Sequence, residues 1–532
     1  MTPDQTLDVA VPNRASSSAG LKRTRNGSLI TLFAPSLALT MGLGTLLWIF
    51  FVLEGATALF TDSDTGWHIV NGGRIITTGH LPHADPFSFS KPREPWVAWE
   101  WGSDVLMSTV YRISGLAGVA LMFGVCIGAS VFIWFRLNAI AGGTFLLSGL
   151  FFVPMLPTTT LHWLARPHIF SWLFLLVTVC LCEQMPRPLL WRHLAFVAIG
   201  AAAWANLHAS FFFAPLIALI YAAGAYLKPL IWEARGLPDR RTSVSGGHSY
   251  LLLTLAASIG TLANPSGWRL HQHVFSYLSD AGLIDRISEF QSFDFHQSGA
   301  TQVLFTITIC FAGAFAALAA QKPERFLLSM LLTVAALRSA RVLPVAALLL
   351  LPLANGSLTA VLSRALNLTR QFRCWLDGVV DYGNRLHAID RRLSGFALVP
   401  LAAVLIFVSV GSRAGFPTAD FPVAASAKVA SLPADARILS PDTFGGYLIY
   451  RFNGERKVFA DGRSDFYGKE FLKRYLRLVE ARDGWRGEFN RWSFTHALLP
   501  PGCPLILALE ANGWREIYRD RTAVLLTGES RL

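Results

Sequence analysis

Thr61-Asp-Ser-Asp-Thr-Gly-Trp-His68 follows directly on an apolar run, residues 31–60, in which Glu54 is the only charged side chain. Asp62 and Asp64 therefore stand at the mouth of a membrane helix. Either they mark where the chain meets water, or they form the reactive centre of an enzyme working at the bilayer surface. In extended backbone, residues two apart point the same way, so both carboxylates could converge on one hydroxyl or on a divalent cation such as Mg or Mn. On a helix they would diverge. Gly66 permits a tight turn and Trp67 suits the interface. A carboxylate at such a boundary is pushed toward neutrality, which suits a general base. A solvated loop acid is the competing reading.

Outward from this motif, composition sets the class. The 532 residues are 53% hydrophobic and 15% charged, and mean hydropathy is +0.43, which excludes a soluble globular protein. Apolar windows fall at 31–53, 115–135, 141–158, 168–184, 194–207, 210–227, 249–264, 301–320, 326–337, 342–356 and 395–412. They predict an α-helical polytopic membrane protein with about eleven transmembrane helices. The net charge of +12 sits largely in short connectors: Arg136, Arg187 with Arg192, Lys228 to Arg241, Lys322 with Arg325, and Arg364 to Arg392. All fall on the side of the N-terminus, as cytoplasmic loops should, so the charge does not point to nucleic acid. Residues 1–28 read as a polar cytoplasmic tail ending in Lys22-Arg23-Thr24-Arg25, and 29–413 as the membrane domain. The opposite, extracytoplasmic side receives the first loop, 61–114, then 159–167, 265–300, and everything after 413. Segment 326–356 reads as two helices hinged at Arg338-Ser-Ala-Arg341, because two guanidiniums inside one span would be costly. From 414 to 532 the chain becomes charged and turn-rich, with apolar runs around a helical stretch at 468–482, which predicts a small α/β domain. The six cysteines suggest neither a disulfide framework nor a metal site.

Polar islands on the extracytoplasmic side carry the remaining chemistry. In the first loop, Trp99 and Glu100 could hold a sugar by stacking and hydrogen bonding, or anchor a helix at the interface. His80 and His83 are split by Pro82 and read as loop residues, and His271-Gln-His273 is too weak a signal for a metal. Arg166-Pro-His168 opens one span, and Trp204-Ala-Asn-Leu-His208 joins two. Arg338 and Arg341 lie three apart, on one face if helical. Guanidiniums at this depth suit the phosphate of a lipid carrier, through paired charge-assisted hydrogen bonds. The plainer readings are topology anchors for the arginines and interhelical hydrogen bonds for Asn206 and His208. Asp461, Arg463 and Asp465 could form a ligand site, with a salt-bridged turn as the plainer reading.

These stretches resemble a bacterial group of multi-pass glycosyltransferases of the GT-C type, akin to the mannosyltransferase and dolichyl-phosphate-mannose families. The resemblance is carried by Asp62-Ser-Asp-Thr-Gly-Trp-His-Ile69, Gly79-His-Leu-Pro-His-Ala-Asp-Pro-Phe-Ser88 and Trp99-Glu-Trp101. Arg166-Pro-His168, Trp204-Ala-Asn-Leu-His208, Asn264-Pro-Ser-Gly-Trp268, Gly445-Gly-Tyr447 and Val458-Phe-Ala-Asp-Gly-Arg463 extend it over most of the chain. It implies an enzyme of the bacterial inner membrane that takes a sugar from a polyprenyl-phosphate carrier and inverts the anomeric centre. Its acidic motif falls on Asp62 and Asp64, with Asp64 as the base and a metal role open to both. Donor phosphate would meet Arg166, Arg338 or Arg341, and substrate would meet His68, Trp99, Glu100, His168, Asn206 and His208. The acceptor could be a glycan, a lipid or a protein. Many relatives place a bulky aromatic or a third acid near the motif, where this chain has Gly66.

Two other classes compete. A non-catalytic scaffold or partner in polysaccharide assembly or export would use the acids structurally. A transporter would show related halves, and the sequence has no half-to-half similarity.

Overall fold

The computed structural model describes residues 32–53, 55–232, 240–364, 368–411 and 413–528. The tail 1–28, Glu54 and the middle of the 228–241 connector lie outside them. The membrane part runs α1 (Leu37–Phe51), α2 (Asp64–Thr78), α3 (Trp101–Ile140), α4 (Phe145–Thr160), α5 (His168–Glu183), α6 (Trp191–Leu207) and α7 (Phe213–Ile231). It continues with α8 (Arg240–Thr261), α9 (Trp268–Ser279), α10 (Ala300–Ala319), α11 (Pro323–Arg338), α12 (Leu343–Arg364), α13 (Arg370–Asp390) and α14 (Leu398–Val410).

A helix fills each apolar window. Among the described residues, length and apolar composition by themselves qualify four stretches to cross a membrane: 101–140, 209–231, 300–319 and 340–364. Helices α1, α4, α5 and α14 are apolar but shorter. The outer faces carry exposed Phe196, Ile199, Leu255, Ile259, Phe305 and Phe315, as surfaces facing lipid should. At the hinge read between Arg338 and Arg341, the helix breaks at Ser339, whose φ of −140° and ψ of 122° are extended.

One end of the bundle is tied by a buried ion pair. Arg325 Nη2 and Nε donate to Glu183 at 2.6 and 2.9 Å, Tyr221 donates to the same carboxylate at 2.7 Å, and Arg325 also reaches the Ala141 carbonyl at 3.0 Å. These groups join the ends of α3 and α5 and the start of α11 to the middle of α7. Arg325→Met strands a carboxylate and is expected to cost about 3–5 kcal/mol, whereas Arg325→Met with Glu183→Gln removes both charges and should recover most of it. Thermal unfolding in detergent, with the double variant no better than the single, would contradict this.

The C-terminal region contains β1 (Ile438–Leu439), α15 (Asp442–Arg451), α16 (Ser464–Val479), β2 (His496–Leu499), α17 (Pro504–Glu510), β3 (Arg515–Arg519) and β4 (Val524–Thr527). The sheet order is β1-β2-β4-β3, with β1 parallel to β2 and the other pairs antiparallel. Buried Ala497 to Leu499 and Val524 to Leu526 form its core layer. This region docks on the first loop through backbone pairing: Phe89 N–H donates to the Val458 carbonyl and Val458 N–H to that of Phe87, both at 3.0 Å.

Arg463 completes the joint. Its guanidinium bonds Asp461 and Asp85 at 2.7–2.8 Å and lies 4.6–6.0 Å from the ring centres of Trp96, Phe466, Phe87 and Trp67. A buried charge needs this enclosure of acids and aromatic faces. The salt-bridged turn read from sequence thus also holds Asp85 of the first loop, while Asp465 faces His273 at 3.3 Å.

Candidate functional site

The opposite end of the bundle opens into a cavity of about 800 Å³. Its walls come from the first loop, the turn before α5, the α6–α7 junction, α9 and the loop after it, the start of α12, and the C-terminal region. One wall is apolar, with Trp172, Leu175, Phe212, Phe213, Val342 and Val345. The other carries charge.

At the centre of the charged wall is Arg166. It donates to Asp62 Oδ2 at 2.7 Å and to Glu289 Oε1 at 2.8 Å, and its Nη2 pairs with Asp64 Oδ2 at 2.8 Å. The acids converge through a turn: Asp62 Oδ1 accepts the Asp64 N–H at 2.8 Å, and Asp64 opens α2. That differs from the extended pairing expected, because the Asp62 side chain closes a turn onto the N–H of Asp64, where the helix begins after its N-cap Ser63. Asp64 Oδ1 also accepts from Trp67 Nε1 at 3.1 Å. Glu289 reaches Arg341 Nη1 at 3.3 Å with its second oxygen, and Arg341 lies over the Phe290 ring.

Burial, reinforced by the negative charge of Asp62, pushes the Asp64 carboxyl up to about 7 against the pull of Arg166. Burial pushes Glu289 up as well, but Arg166 and Arg341 outweigh it and hold that carboxyl well below its usual range. Neighbouring carboxylates are thus tuned apart. Asp64 can take a proton near neutral pH, and Glu289 stays ionised.

Glu100 stands on the same cavity wall, just ahead of α3. Its oxygens face His208 Nε2 at 3.4 Å and His68 Nε2 at 3.7 Å. Burial raises this carboxyl to about 7, and burial drives the His68 imidazole down to about 3.

The cavity gathers Asp62, Asp64, Trp99, Glu100, Arg166, His168, His208 and Arg341 from the residues singled out in the sequence. Three others lie off its wall. His68 is buried behind Glu100, bonded to Asp104. Asn206 spends its amide on Trp101 Nε1 at 2.8 Å and on the Ala202 and Ala263 carbonyls. Arg338 ends α11, where its carbonyl accepts from Ser292. Among the described residues, no group of three His, Cys, Asp or Glu side chains is arranged to hold a metal ion. The position between Asp62, Asp64 and Glu289 is filled by the Arg166 guanidinium, and Mg or Mn does not fit there.

Glu289, Gly462 and Gly446 were not singled out as site residues, and Gly66 was read only as permitting a turn. Gly462 abuts Asp64, and a Cβ there would overlap Asp64 Oδ1. Gly66 and Gly446 bring α2 and α15 into backbone contact: a Cβ on Gly66 would overlap the Gly446 carbonyl, and one on Gly446 that of Ser63. Gly66 has no room for a side chain because the C-terminal region lies against it. The Gly-Gly pair at 445–446 and Asp-Gly-Arg at 461–463 were the visible signals.

No protein-family model and no curated protein matches the chain. Among solved structures it is similar to the apo crystal structure of the Archaeoglobus fulgidus oligosaccharyltransferase, with a TM-score of 0.50 and 11% sequence identity, covering 87% of this chain and 69% of that one. At that identity the likeness is one of fold: the chain is a helical membrane protein of GT-C-like architecture with a counterpart in an oligosaccharyltransferase.

Proposed function

We propose that the protein is an integral-membrane glycosyltransferase that moves a sugar from a polyprenyl-phosphate-linked donor to an acceptor hydroxyl with inversion. The observation that carries this is one cavity with an apolar wall and a wall of paired acids and guanidiniums. Such a cavity suits a substrate that is lipid at one end and phosphorylated sugar at the other. The fold shared with an oligosaccharyltransferase supports the same reaction class. On this reading the cavity end and residues 414–532 face the extracytoplasmic side of a bacterial inner membrane, and the 1–28 tail lies in the cytoplasm.

Asp64 is the base for the acceptor hydroxyl, and Asp62 with Glu289 holds Arg166 beside it. Arg341, bound to one carboxylate at 3.3 Å, is freer to meet phosphate than Arg166, which meets three. Arg338 acts through the hinge it shares with Arg341. Trp99, His168 and His208 contact substrate, with His68 and Asn206 supporting them from behind.

The test is native mass spectrometry of the purified protein with its retained lipids, wild type against Arg341→Ala. The wild type should carry a polyprenyl-phosphate sugar, and the variant should hold it about tenfold or more weakly, the loss of one charge-assisted hydrogen bond. Phospholipids alone in the wild type, even after polyprenyl-phosphate lipids are added, would move the protein to the scaffold class.

A further inference from the structure

Helix α13 follows the end of α12 that lies away from the cavity, and its three faces differ in character. It is seated on Leu376 and Gly383, both buried, and a Cβ on Gly383 would touch Phe145, the first residue of α4, at 3.7–3.9 Å. Asp390 accepts the backbone N–H of Leu37 at the start of α1, which fixes the far end. At 3.6 residues per turn, Val380 and His387 share the arc of this seat. Trp375, Tyr382 and Ile389 follow one another at intervals of one heptad and form a second arc on one flank. They are 60%, 51% and 58% exposed. Arg370, Asp377, Asp381 and Arg385 form a third arc on the other flank, all exposed.

A row of large apolar side chains on a charged helix marks a contact surface, and the connections say with what. On one side stands α12, part of a stretch long and apolar enough to cross a membrane, and on the other the apolar α14. Only residues 365–369 and 391–397 separate α13 from them. Both ends are therefore tethered where the neighbouring helices leave the bilayer, and the helix must lie along that surface. One flank then faces lipid and the other faces water. The lipid-facing surface begins at the seat itself, because α4 exposes Leu146, Leu150 and Val153 along one face beyond Phe145. Charge agrees with this placement. From residue 364 to 392 six arginines stand against three aspartates, and Arg385 borders the apolar flank, where its stem can lie on hydrocarbon with its head at the phosphates.

We propose that α13 is an interfacial helix that grips the bilayer, with Trp375, Tyr382 and Ile389 among the acyl chains and its arginines on anionic phospholipid headgroups. This holds whatever reaction the cavity performs. Trp and Tyr favour this depth, and an excess of arginine is drawn to a negatively charged leaflet. A length supports the same seat. The 22 residues of α12 span about 33 Å, close to the ~30 Å thickness of the hydrocarbon. With α13 in one interface, Arg341 just ahead of α12 stands at the headgroup level of the opposite leaflet. The grip of α13 thus sets the depth of the charged wall.

Single nitroxide-labelled cysteines test this. Cys374 is the one exposed cysteine, so Cys374→Ser supplies the background. In it, Trp375→Cys, Tyr382→Cys and Ile389→Cys report the apolar flank, and Asp377→Cys and Asp381→Cys the charged one, all at exposed positions where the fold should survive. The purified full-length protein is placed in nanodiscs of phosphatidylcholine and phosphatidylglycerol. Labels on the apolar flank should be relaxed by oxygen, which concentrates among acyl chains, and shielded from a water-soluble nickel chelate. Labels on the charged flank should show the reverse. With Arg370→Gln, Arg385→Gln and Arg392→Gln added, the ratio of immersed to water-exposed label at Tyr382→Cys should fall about fivefold for each arginine removed. Apolar-flank labels as open to nickel as that at Asp381→Cys would overturn the proposal. Labels shielded from both reagents would overturn it too, since protein would then cover the flank; spin–spin broadening that grows with copies per disc would identify that cover as a second copy. An immersed flank indifferent to the three arginines and to phosphatidylglycerol would overturn the anionic-headgroup contact.

Discussion

Asp64→Asn is expected to lower transfer about a thousandfold, in the range set by loss of a positioned general base. Asparagine keeps an oxygen for the Trp67 hydrogen bond, and Arg166 retains Asp62 and Glu289, so the site should hold together without Asp64. The sign of the stability change is unusual for a buried ion pair. Asp64 titrates at about 7 in the folded protein, well above an ordinary aspartate. The stability it contributes is therefore complete at low pH and is lost as pH rises through about 7. At pH 8 the asparagine variant should melt no lower than wild type, while its turnover is nearly gone. The pH dependence follows the same titration: a base must be ionised, so the wild-type rate falls toward acid, about tenfold per unit once pH is below about 6. A variant with normal turnover, or a wild-type rate flat from pH 5 to 7, would remove Asp64 from the base role.

How much of this was legible in the sequence depends on the range of the interaction. Helices at the apolar windows follow from local hydropathy, and the break at Ser339 follows from the cost of burying Arg338 and Arg341 in one span. Polar residues stranded between apolar runs are conspicuous, which is why Asp62, Asp64, Arg166, Glu100 and His208 stood out and why they share one cavity. What stayed hidden was pairing over distance. Nothing in the local pattern of Arg166 says that it will meet Glu289, more than a hundred residues on, and so spend its guanidinium on carboxylates. Asn206, read both as a substrate contact and as an interhelical hydrogen bond, joins α6 to its neighbours, since a polar side chain between helices finds an internal partner first. The C-terminal region was invisible as part of the site for the same reason. Its glycines matter only because another backbone lies against them.

Gly462→Ala is expected to have the second-largest effect, although the residue has no chemistry of its own. The added methyl would occupy the place of Asp64 Oδ1, so Asp64 or the Asp461–Arg463 turn must shift. The turn is held at both ends: Arg463 is bonded to Asp461 and Asp85 inside its ring of aromatic groups, and Ser464 N–H donates to the Gly462 carbonyl at 2.8 Å. Asp64 is held by one ion pair to Arg166 and one hydrogen bond from Trp67, which makes it the part that moves. A displacement of about 1 Å at a reacting group costs on the order of a hundredfold in rate, and overpacking adds about 1–3 kcal/mol of destabilisation. The same substitution at Gly487, where a Cβ meets nothing within 4 Å, should leave both properties unchanged and serves as the control. If Gly462→Ala melts near wild type yet loses turnover, the C-terminal region sets the position of the catalytic base, and severing it should abolish transfer even with Asp62 and Asp64 intact. Should Gly462→Ala be as active as Gly487→Ala, the contact with Asp64 is packing alone and the base is held by Arg166 and Trp67 without help from residues 414–532.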